Sequence, residues 1–209
     1  MRGEGATVAL VLASFLIGAV PWGYLAGKLT RGIDLRTVGS GGTGATNALR
    51  TLGGKASALV FLLDFAKGWL PVVVAVQLGF DRSWVAAAAV AAVAGHCWSP
   101  FIGFKGGKGV ATGAGAAIAL LPQVLVVVPI MAAVIWSSRY VSLGSLVGAG
   151  LATIVALSLA ASGRVDWPSA LAITAITGII MVRHLSNIRR LRDGTERRIG
   201  ETIATTRSG

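Results

Sequence analysis

The stretch that decides the fold is "GVATGAGAAIALLPQVLVVVPIMAAVIWSS", residues 109–138, which carries no charged side chain. About 20 helical residues cross a hydrocarbon core that is about 30 Å thick, so this run is too long for one helix. Pro122 divides it, because proline has no N–H and its ring clashes inside a helix. We therefore predict two spans, 109–121 and 123–138, and expect the short first one to be tilted or partly interfacial.

The rest of the chain has the composition of a membrane protein. Hydrophobic residues make up 54% of its 209 residues and charged residues only 13%, whereas soluble domains carry about 25% charged residues. The run at 5–27 exceeds the ~7–15 apolar residues of a typical signal peptide, so we interpret it as a retained span. The predicted class is an all-α, polytopic integral membrane protein with seven transmembrane helices. These helices are predicted at 5–27, 56–80, 83–100, 109–121, 123–138, 142–162 and 166–182.

The distribution of charge determines the predicted orientation. One crossing at 109–138 would put the basic loops on opposite sides of the membrane, whereas two crossings put all of the net charge of +11 on one side. Because basic loops stay in the cytoplasm, the N-terminus is predicted outside and the basic tail 183–209 in the cytoplasm. The basic residues cluster between apolar segments, so we do not expect nucleic acid as a partner.

Two glycine-rich stretches on the predicted cytoplasmic side are typical of anion binding. The first, "GSGGTGATN" at 39–47, matches the dinucleotide fingerprint G-x-G-x-x-G, but no buried strand precedes it. The second, "GFKGGKGVATG" at 103–113, lacks the spacing of an ATP-binding loop. Glycines nevertheless let successive N–H groups turn onto one anion. The alternative is that both are interfacial turns whose lysines touch lipid phosphates; two such loops on one face favour a ligand.

A third polar cluster, "VRHLSNIRRLRDGTE" at 182–196, begins where the last predicted span ends. His184 and Asn187 stand at i,i+3, and Arg183 and Asn187 at i,i+4, so the three are predicted to share one helix face. A basic tail bound to anionic lipid explains the other arginines but not the histidine and the asparagine. Those arginines are Arg189, Arg190, Arg192, Arg197 and Arg198.

Several further residues have structural interpretations. Ser142 and Ser145 lie near the cytoplasmic end of a span, where serines usually bond to the backbone. Asp64 and Lys67 stand at i,i+3 inside the second span, and we expect an ion pair that braces the site. Three glycine pairs with G-x-x-x-G spacing are predicted packing faces. They are Gly23 and Gly27, Gly109 and Gly113, and Gly144 and Gly148.

Five stretches together resemble the acyl-phosphate-dependent glycerol-3-phosphate acyltransferase family of bacterial membranes. They are "DLRTVGSGGTGATNALRTLGGK", "LLDFAKGWLP", "GHCWSPFIGFKGGKGVATG", "RYVSLGS" and "RHLSNIRRLRDGTE". They occur in the family's order and, with the spans between them, cover nearly the whole chain. The resemblance implies a seven-span protein of the bacterial cytoplasmic (inner) membrane. It also implies transfer of a fatty acyl group from acyl phosphate to the 1-hydroxyl of glycerol 3-phosphate, giving lysophosphatidic acid and phosphate for phospholipid biosynthesis.

The resemblance implies a set of catalytic residues, to which the loops and the tail add candidate substrate-binding residues. The implied catalytic residues are Ser40, Arg50, Lys108, Ser145, His184, Asn187 and Glu196. The candidate substrate-binding residues are Gly41, Thr43, Asn47, Lys105, Gly106, Gly107, Gly109, Ser142 and Arg183. Gly42 departs from the family pattern, which commonly has asparagine there, so we expect backbone N–H groups or Thr43 to cover its role. Neither a metal nor a cofactor is expected. The expected partners are the two substrates, membrane lipids and the soluble enzyme that makes acyl phosphate.

The expected mechanism is direct attack without a covalent acyl-enzyme, because a mixed anhydride already has a good leaving group. The N–H groups of Gly106, Gly107 and Gly109 are expected to hold the phosphate of acyl phosphate together with Lys108. Glycerol 3-phosphate is expected to contact Arg50, Lys105, His184 and Asn187. The hydroxyl proton passes to a substrate phosphate oxygen, as the resemblance implies, or to His184. The alternative function is a membrane transporter of phosphate or an organophosphate, which predicts inverted repeats and broken helices.

Overall fold

A computed structural model describes residues 3–200, and no strand occurs in that range. The all-helical class predicted from the sequence is confirmed. The α-helices of this range are α1 (Glu4–Ala19), α2 (Trp22–Arg31), α3 (Ala45–Leu52), α4 (Gly54–Gln77), α5 (Arg82–Cys97), α6 (Val110–Leu120), α7 (Val127–Ser138), α8 (Val141–Ala161), α9 (Trp167–Arg183) and α10 (Leu185–Arg192). Short 3₁₀ helices cover Pro100–Ile102 and Pro122–Val126.

Within residues 3–200, four helical segments are long and apolar enough to cross a membrane. They are Glu4–Arg31, Gly54–Gln77, Arg82–Ile102 and Val141–Ala161. A fifth is obtained if α9 is counted together with α10, from which it is bent by 59°. α6 and the segment Pro122–Ser138 are apolar but shorter, and the 11 residues of α6 extend only about 16 Å. The count of seven crossings therefore stays a prediction.

The first predicted span, 5–27, is not one continuous helix. α1 and α2 are separate because Pro21 cannot donate to the helical ladder. The break removes two carbonyl oxygens from the helical ladder, those of Ala19 and Val20. Lys67 Nζ donates to the carbonyl oxygen of Val20 at 2.7 Å. Ser99 Oγ donates to the carbonyl oxygen of Ala19 at 2.6 Å. Lys67 Nζ also lies 2.7 Å from Asp64 Oδ1, so the predicted ion pair is confirmed and holds the break as well.

Glycines allow the closest helix contacts. Gly18 of α1 and Gly95 of α5 each lie against the backbone of the other helix, and an added Cβ would overlap a carbonyl oxygen there. Gly68 of α4 and Gly115 of α6 make the same reciprocal contact. Because small residues let backbones approach closely, α1 packs closely on α5 and α4 packs closely on α6.

The glycine pairs predicted from G-x-x-x-G spacing are also packing positions, but not all of them face helices. The pair in α8 lies against side chains of α7, and Gly113 in α6 lies against α9. The pair in α2 lies instead against the backbone of the loop that joins α2 to α3. We call this connection loop A (residues 32–44), and the connection between α5 and α6 loop B (residues 98–109).

Loop A and loop B are joined to each other. The Nη1 atom of Arg36 in loop A donates to the carbonyl oxygen of Ile102 in loop B at 2.7 Å. The same guanidinium pairs with Asp34 at 2.7 Å and lies over the ring of Tyr24, 5.1 Å from its centroid. Both glycine-rich loops therefore lie at the same end of the helical bundle.

The segment that follows α9 folds back over that end. After α10 the chain returns to the start of α8, where the N–H of Ile199 donates to the carbonyl oxygen of Arg139 at 2.8 Å. Arg198 Nε donates to the hydroxyl of Tyr140 at 3.1 Å. The predicted basic tail 183–209 is thus a folded segment over its described part, and residues 201–209 lie outside the described residues.

Candidate active site

A cavity of about 360 Å³ lies where loop A, loop B and the segment after α9 meet. Predicted residues from several separate stretches line it, namely Ser40, Asn47, Arg50, Gly107, Lys108, Gly109, Ser142, Ser145, His184, Asn187 and Glu196. The other predicted residues, which lie outside its wall, are Gly41, Thr43, Lys105, Gly106 and Arg183. The two glycine-rich stretches therefore meet at one site, as the sequence predicts.

The first turn of α6 forms one end of the cavity. Lys108, Gly109, Val110 and Ala111 all line it, and Gly109 enters the helix with a φ of 81°. The N–H groups of a first helical turn have no acceptor within the helix, and the helix dipole makes this end positive. The end of α6 is therefore suited to an anion such as a phosphate group.

The ammonium group of Lys108 adds a positive charge with a shifted pKa. Burial lowers the pKa of Lys108 to about 8; the nearby Glu196 opposes this shift, and the guanidinium groups of Arg190, Arg50 and Arg183 reinforce it. Like charges gathered in this way favour the entry of an anion, which would raise the pKa again.

The N–H groups of Gly106 and Gly107 are engaged within the protein, which corrects the prediction that they bind a ligand. They donate to the carbonyl oxygens of Cys97 and His96, at 3.2 and 3.1 Å. Their own carbonyl oxygens accept from Nη2 and Nε of Arg183, at 2.9 and 3.0 Å. Arg183 therefore acts as a clamp on loop B, and the N–H groups on this side of the cavity that have no acceptor in a helix are those of the first turn of α6.

The first turn of α3 forms a second positive end. Gly44, Ala45 and Thr46 line the cavity at the start of this 8-residue helix. Arg50, further along the same helix, also lines the cavity, and its Nη2 donates to the carbonyl oxygen of Arg197 at 3.4 Å. A guanidinium and a helix N-terminus that line the same cavity are both suited to an anion. Two helix N-termini that are suited to anions thus line one cavity.

Asn47 holds loop A together, so its predicted role in substrate binding is corrected to one of positioning. Its Nδ2 donates to the carbonyl oxygens of Leu35 and Gly42 at 2.8 Å and of Val38 at 3.1 Å. Its Oδ1 accepts the N–H of Ser40 at 2.9 Å. Both polar atoms are therefore engaged by loop A, and Asn47 places Ser40 at the edge of the cavity.

Three more residues that were predicted to bind substrate, Gly41, Thr43 and Lys105, lie outside the cavity wall. Thr43 is buried against α2, so the backbone of Gly42, and not Thr43, lines the cavity where the family asparagine is expected. Gly41 is exposed in a turn with a φ of 72°, a conformation that suits glycine. Lys105 is exposed on loop B.

His184 and Asn187 form a third wall of the cavity, and both are buried. The Nδ1 atom of His184 lies 2.8 Å from the carbonyl oxygen of Ile180, so Nδ1 carries a proton and Nε2 offers a lone pair. Burial lowers the pKa of His184 to about 4, and the imidazole is therefore neutral near pH 7. The three residues were predicted to share one helix face, but α9 ends at Arg183 and the chain bends before α10 begins at Leu185; His184 and Asn187 line the cavity, whereas Arg183 turns towards loop B.

Glu196 orients the side chains around it. Ser142 Oγ and Asn187 Nδ2 both donate to Oε1, at 2.8 and 2.6 Å, and Arg190 Nε donates to Oε2 at 2.7 Å. Partial burial raises the pKa of Glu196, but these hydrogen bonds outweigh it and hold the pKa below its usual range. The carboxylate is therefore ionised and acts as a fixed acceptor.

Ser142 and Ser145 donate their hydroxyl groups to acceptors within the protein. Ser145 Oγ donates to the carbonyl oxygen of Val141 at 2.8 Å, and Ser142 Oγ donates to Oε1 of Glu196 at 2.8 Å. Cys97 is fully buried and lies outside the cavity wall.

Several polar residues of the wall were not predicted as site residues, namely Thr46, Asp64, His96, Arg190 and Arg197. Arg190 was placed among the lipid-binding arginines, although its i,i+3 spacing from Asn187 was a signal for a shared face. Asp64 and His96 also line the cavity, with 3.5 Å between Oδ1 and Nδ1. No spacing signal joined these two residues, because they lie on different helices.

The cavity also has an apolar side, lined by Phe61 of α4, Met131 and Ile135 of α7 and Val141 of α8. Phe61 is 46% exposed on the outer surface of the bundle, so this side leads from the anion-binding ends towards that surface. A bundle of apolar helices with such a cavity at one end defines a class: a membrane protein with a site for an amphiphilic anion.

Comparison with known proteins gives the particular family. The family model described as "Glycerol-3-phosphate acyltransferase" matches residues 8–194. "Glycerol-3-phosphate acyltransferase 1" of Deinococcus radiodurans is 44% identical over 201 residues, which is 95% of this chain and 98% of that protein. The enzyme of the same name from Thermus thermophilus is 42% identical over 199 residues, with the same shares covered.

Solved structures agree with the sequence comparisons. The crystal structure of PlsY, an integral membrane glycerol 3-phosphate acyltransferase, in its glycerol 3-phosphate form has a TM-score of 0.86 and 39% identity. The match covers 94% of this chain and 96% of that one. The lysophosphatidic acid form of PlsY gives a TM-score of 0.84. The chain belongs to the glycerol-3-phosphate acyltransferase family. It is a membrane acyltransferase, and the transporter alternative is not favoured.

Proposed function

We propose that the protein transfers a fatty acyl group from acyl phosphate to the 1-hydroxyl of glycerol 3-phosphate, releasing lysophosphatidic acid and inorganic phosphate. One observation carries the proposal: the N-termini of α3 and α6, with Arg50 and Lys108, line a single cavity. Both substrates bear a phosphate group, and each anion-binding end accommodates one of them. PlsY, the similar solved protein, is described in a glycerol 3-phosphate form and a lysophosphatidic acid form.

The end formed by α6 is assigned to acyl phosphate. Lys108 and the first N–H groups of α6 bind its phosphate group, and the charge of Lys108 also stabilises the phosphate as it leaves. The acyl chain lies along the apolar side of the cavity, past Phe61, Met131 and Ile135. Because Phe61 is partly exposed on the outer surface, the chain reaches the lipid without leaving the site.

The end formed by α3 is assigned to glycerol 3-phosphate. Arg50 suits its phosphate group because a guanidinium binds two phosphate oxygens with parallel hydrogen bonds. Ser40 and the first N–H groups of α3 add donors on the same side. His184 and Asn187 then lie beside the glycerol part of the molecule.

The reaction is a direct attack of the glycerol 1-hydroxyl oxygen on the acyl carbon. As the new C–O bond forms, the bond from the acyl carbon to the phosphate oxygen breaks and its electron pair leaves with phosphate. The hydroxyl proton passes to a substrate phosphate oxygen, and Nε2 of neutral His184 is the acceptor that the protein itself offers. Holding the two substrates side by side contributes ~7–11 kcal/mol to lowering the barrier.

We also propose that the chain crosses the bacterial cytoplasmic membrane seven times, with the N-terminus outside and both loops in the cytoplasm. The asymmetric distribution of the net charge of +11 supports this orientation. Loop A, loop B and the segment after α9 lie at one end of the bundle, which agrees with a single cytoplasmic face. A site on that face receives acyl phosphate from the soluble enzyme that makes it.

The proposal is tested with the purified protein in detergent, supplied with a long-chain acyl phosphate and glycerol 3-phosphate. The expected result is release of phosphate and lysophosphatidic acid in equal amounts. Acyl-CoA and acyl carrier protein are supplied as alternative donors, and neither is expected to give product. Equal use of acyl-CoA would overturn the assignment of the donor.

A further inference from the structure

One buried histidine on the cavity wall has no part in the proposed chemistry. His96 lies in the last turn of α5, is 6% exposed and lines the cavity together with Asp64 of α4. Its Nδ1 atom has no hydrogen-bond partner among residues 3–200, and Oδ1 of Asp64 lies 3.5 Å away. Burying a polar ring in this way costs free energy, which indicates that the ring has a task elsewhere.

The other side of the ring lies against loop B. A Cβ added to Gly107 would overlap Nε2 of His96, so the imidazole occupies the space that a side chain at position 107 would need. The φ of Gly107 is outside the left-handed region, whereas that of Gly109 is 81°. The backbone at position 107 is therefore compatible with alanine, and the ring of His96 is what requires glycine there.

The backbone of His96 holds the same part of loop B. Its carbonyl oxygen accepts the N–H of Gly107 at 3.1 Å, and a Cβ added to Gly106 would overlap that oxygen. The φ of Gly106 is also outside the left-handed region. Both glycines before Lys108 are thus fitted to one residue of α5, the first to its carbonyl oxygen and the second to its ring.

This contact ends directly before Lys108. A lysine side chain has many rotamers, so the direction of its ammonium group depends on the backbone from which it extends. Arg183 of α9 holds the carbonyl oxygens of Gly106 and Gly107, and the ring of His96 packs on the backbone of Gly107 from α5. The backbone that leads into Lys108 is therefore held from two helices.

We propose that His96 is a positioning residue: its imidazole holds the backbone of Gly107 and thereby directs the ammonium group of Lys108 towards the phosphate of acyl phosphate. The inference rests on the proposed function and adds to it a residue that acts through the lysine. Because Nε2 of His96 lies against Gly107, this histidine is assigned no proton from the substrate.

A double-mutant cycle between His96 and Lys108 tests the inference. kcat/KM for acyl phosphate is measured at saturating glycerol 3-phosphate in wild type, His96→Ala, Lys108→Ala and the double variant. We expect His96→Ala to lower kcat/KM about tenfold in wild type but less than about threefold in Lys108→Ala, because the ring acts through the lysine. Equal losses in the two backgrounds, or a loss below about threefold in wild type, would overturn the inference.

Gly107→Ala gives a second test of the same contact. The added methyl group overlaps the ring in wild type, whereas in His96→Ala it enters the space that the ring has left. We expect kcat/KM to fall about tenfold in the first background and less than about threefold in the second. The same loss in both would overturn the inference. Because Lys108 stays intact, this cycle decides the question if Lys108→Ala is too slow to measure.

Val85→Ala is the matched control. Val85 is buried near the opposite end of α5, so its truncation should lower the thermal unfolding temperature in detergent. Any effect on kcat/KM should be the same with and without Lys108, as for a loss of stability alone. His96→Asn is the second variant if His96→Ala does not fold, because asparagine keeps a donor near Asp64 but lacks the ring atoms that reach Gly107.

Failure of the inference differs from failure of the proposed function. A wild-type protein that forms no lysophosphatidic acid from acyl phosphate and glycerol 3-phosphate would overturn the proposed function. An active wild type in which substitutions at His96 and Lys108 act independently would overturn this inference alone.

Discussion

Single cationic residues near the cavity have two different tasks. Arg36 and Arg183 use their donors on backbone carbonyls and hold loop A and loop B in place. Lys108 and Arg50 line the cavity itself, and burial together with its charged neighbours shifts the pKa of Lys108. A cation that holds the backbone and a cation that meets a ligand should therefore respond differently to substitution.

Lys108→Ala is expected to lower kcat/KM at least tenfold, which corresponds to about 1.4 kcal/mol. The reason is the loss of a half-buried charge beside the phosphate of acyl phosphate. Initial rates of lysophosphatidic acid formation measure the effect. Lys105→Ala is the matched control, because Lys105 is exposed on the same loop and should stay within about twofold of wild type. An equal loss of kcat/KM in the two variants would show that Lys108 does not contact the substrate.

The protonation state of Lys108 should make substrate binding depend on pH. Without substrate the pKa of Lys108 is about 8, below its usual range. A bound phosphate raises it, because an opposite charge favours the ammonium form. Above pH 8 binding therefore requires proton uptake, so KM for acyl phosphate should increase as the pH rises through 8 and level off below it.

Lys108→Arg tests this explanation, because a guanidinium stays charged throughout the range. KM is measured from about pH 6.5 to about pH 9.5 in both proteins. The variant should lack the alkaline increase. The same increase in wild type and in Lys108→Arg would show that another group titrates.

The residues of the site were only partly predictable from the sequence. Lys108, Arg50, His184 and Asn187 belong to long motifs in which polar residues gather at the ends of apolar segments. The sequence does not show which donors are already engaged by backbone carbonyls, and for that reason Asn47 and the clamp residue Arg183 were assigned to the ligand.

Among the elements, short helices and their first turns create the site. α3 is too short to be notable in the hydropathy pattern, whereas α6 was predicted as a short span at 109–121, and both helices begin at the cavity wall. The division between α1 and α2 was missed for a related reason. The apolar run at 5–27 continues across Pro21, and the polar groups that satisfy the freed carbonyls, Lys67 and Ser99, come from distant parts of the chain.

Packing of α6 against α4 positions the anion-binding end of α6. Gly115→Ala should destabilise the protein by about 1–3 kcal/mol, because the added Cβ overlaps the carbonyl oxygen of Phe65 in α4. A lower thermal unfolding temperature in detergent measures the loss, and a higher KM for acyl phosphate should accompany it.

Gly178→Ala is the control for this substitution. Gly178 also lies inside a helix, α9, but a Cβ added there has no neighbour within 4 Å. Alanine is a better helix former than glycine, so this variant should unfold at the same temperature or slightly higher. A similar loss of stability in both variants would show that contact between α4 and α6 is not the cause.

The whole molecule has one polar end on a bundle of apolar helices. The sequence predicts the helical membrane class because hydrophobic composition and charge clusters are properties of the whole chain. The number of crossings is harder to predict, because α6 is shorter than a bilayer is thick and Pro122–Val126 forms a 3₁₀ turn instead of a helix end.

The proposed orientation predicts which loops are exposed to the cytoplasm. Single cysteines at the exposed positions Thr37 in loop A and Lys105 in loop B should react with a membrane-impermeant maleimide only after the cells are permeabilised. A cysteine at Ser162, at the far end of α8, should react in intact cells. Labelling of loop A and loop B from opposite sides would contradict the orientation.

The central claim is that one cavity holds both phosphorylated substrates at the same time, and steady-state kinetics tests it most directly. Initial rates are measured while acyl phosphate and glycerol 3-phosphate are both varied. A complex with both substrates predicts double-reciprocal lines that intersect. Parallel lines, with an acyl group trapped on the protein when glycerol 3-phosphate is left out, would show a covalent intermediate and contradict the claim.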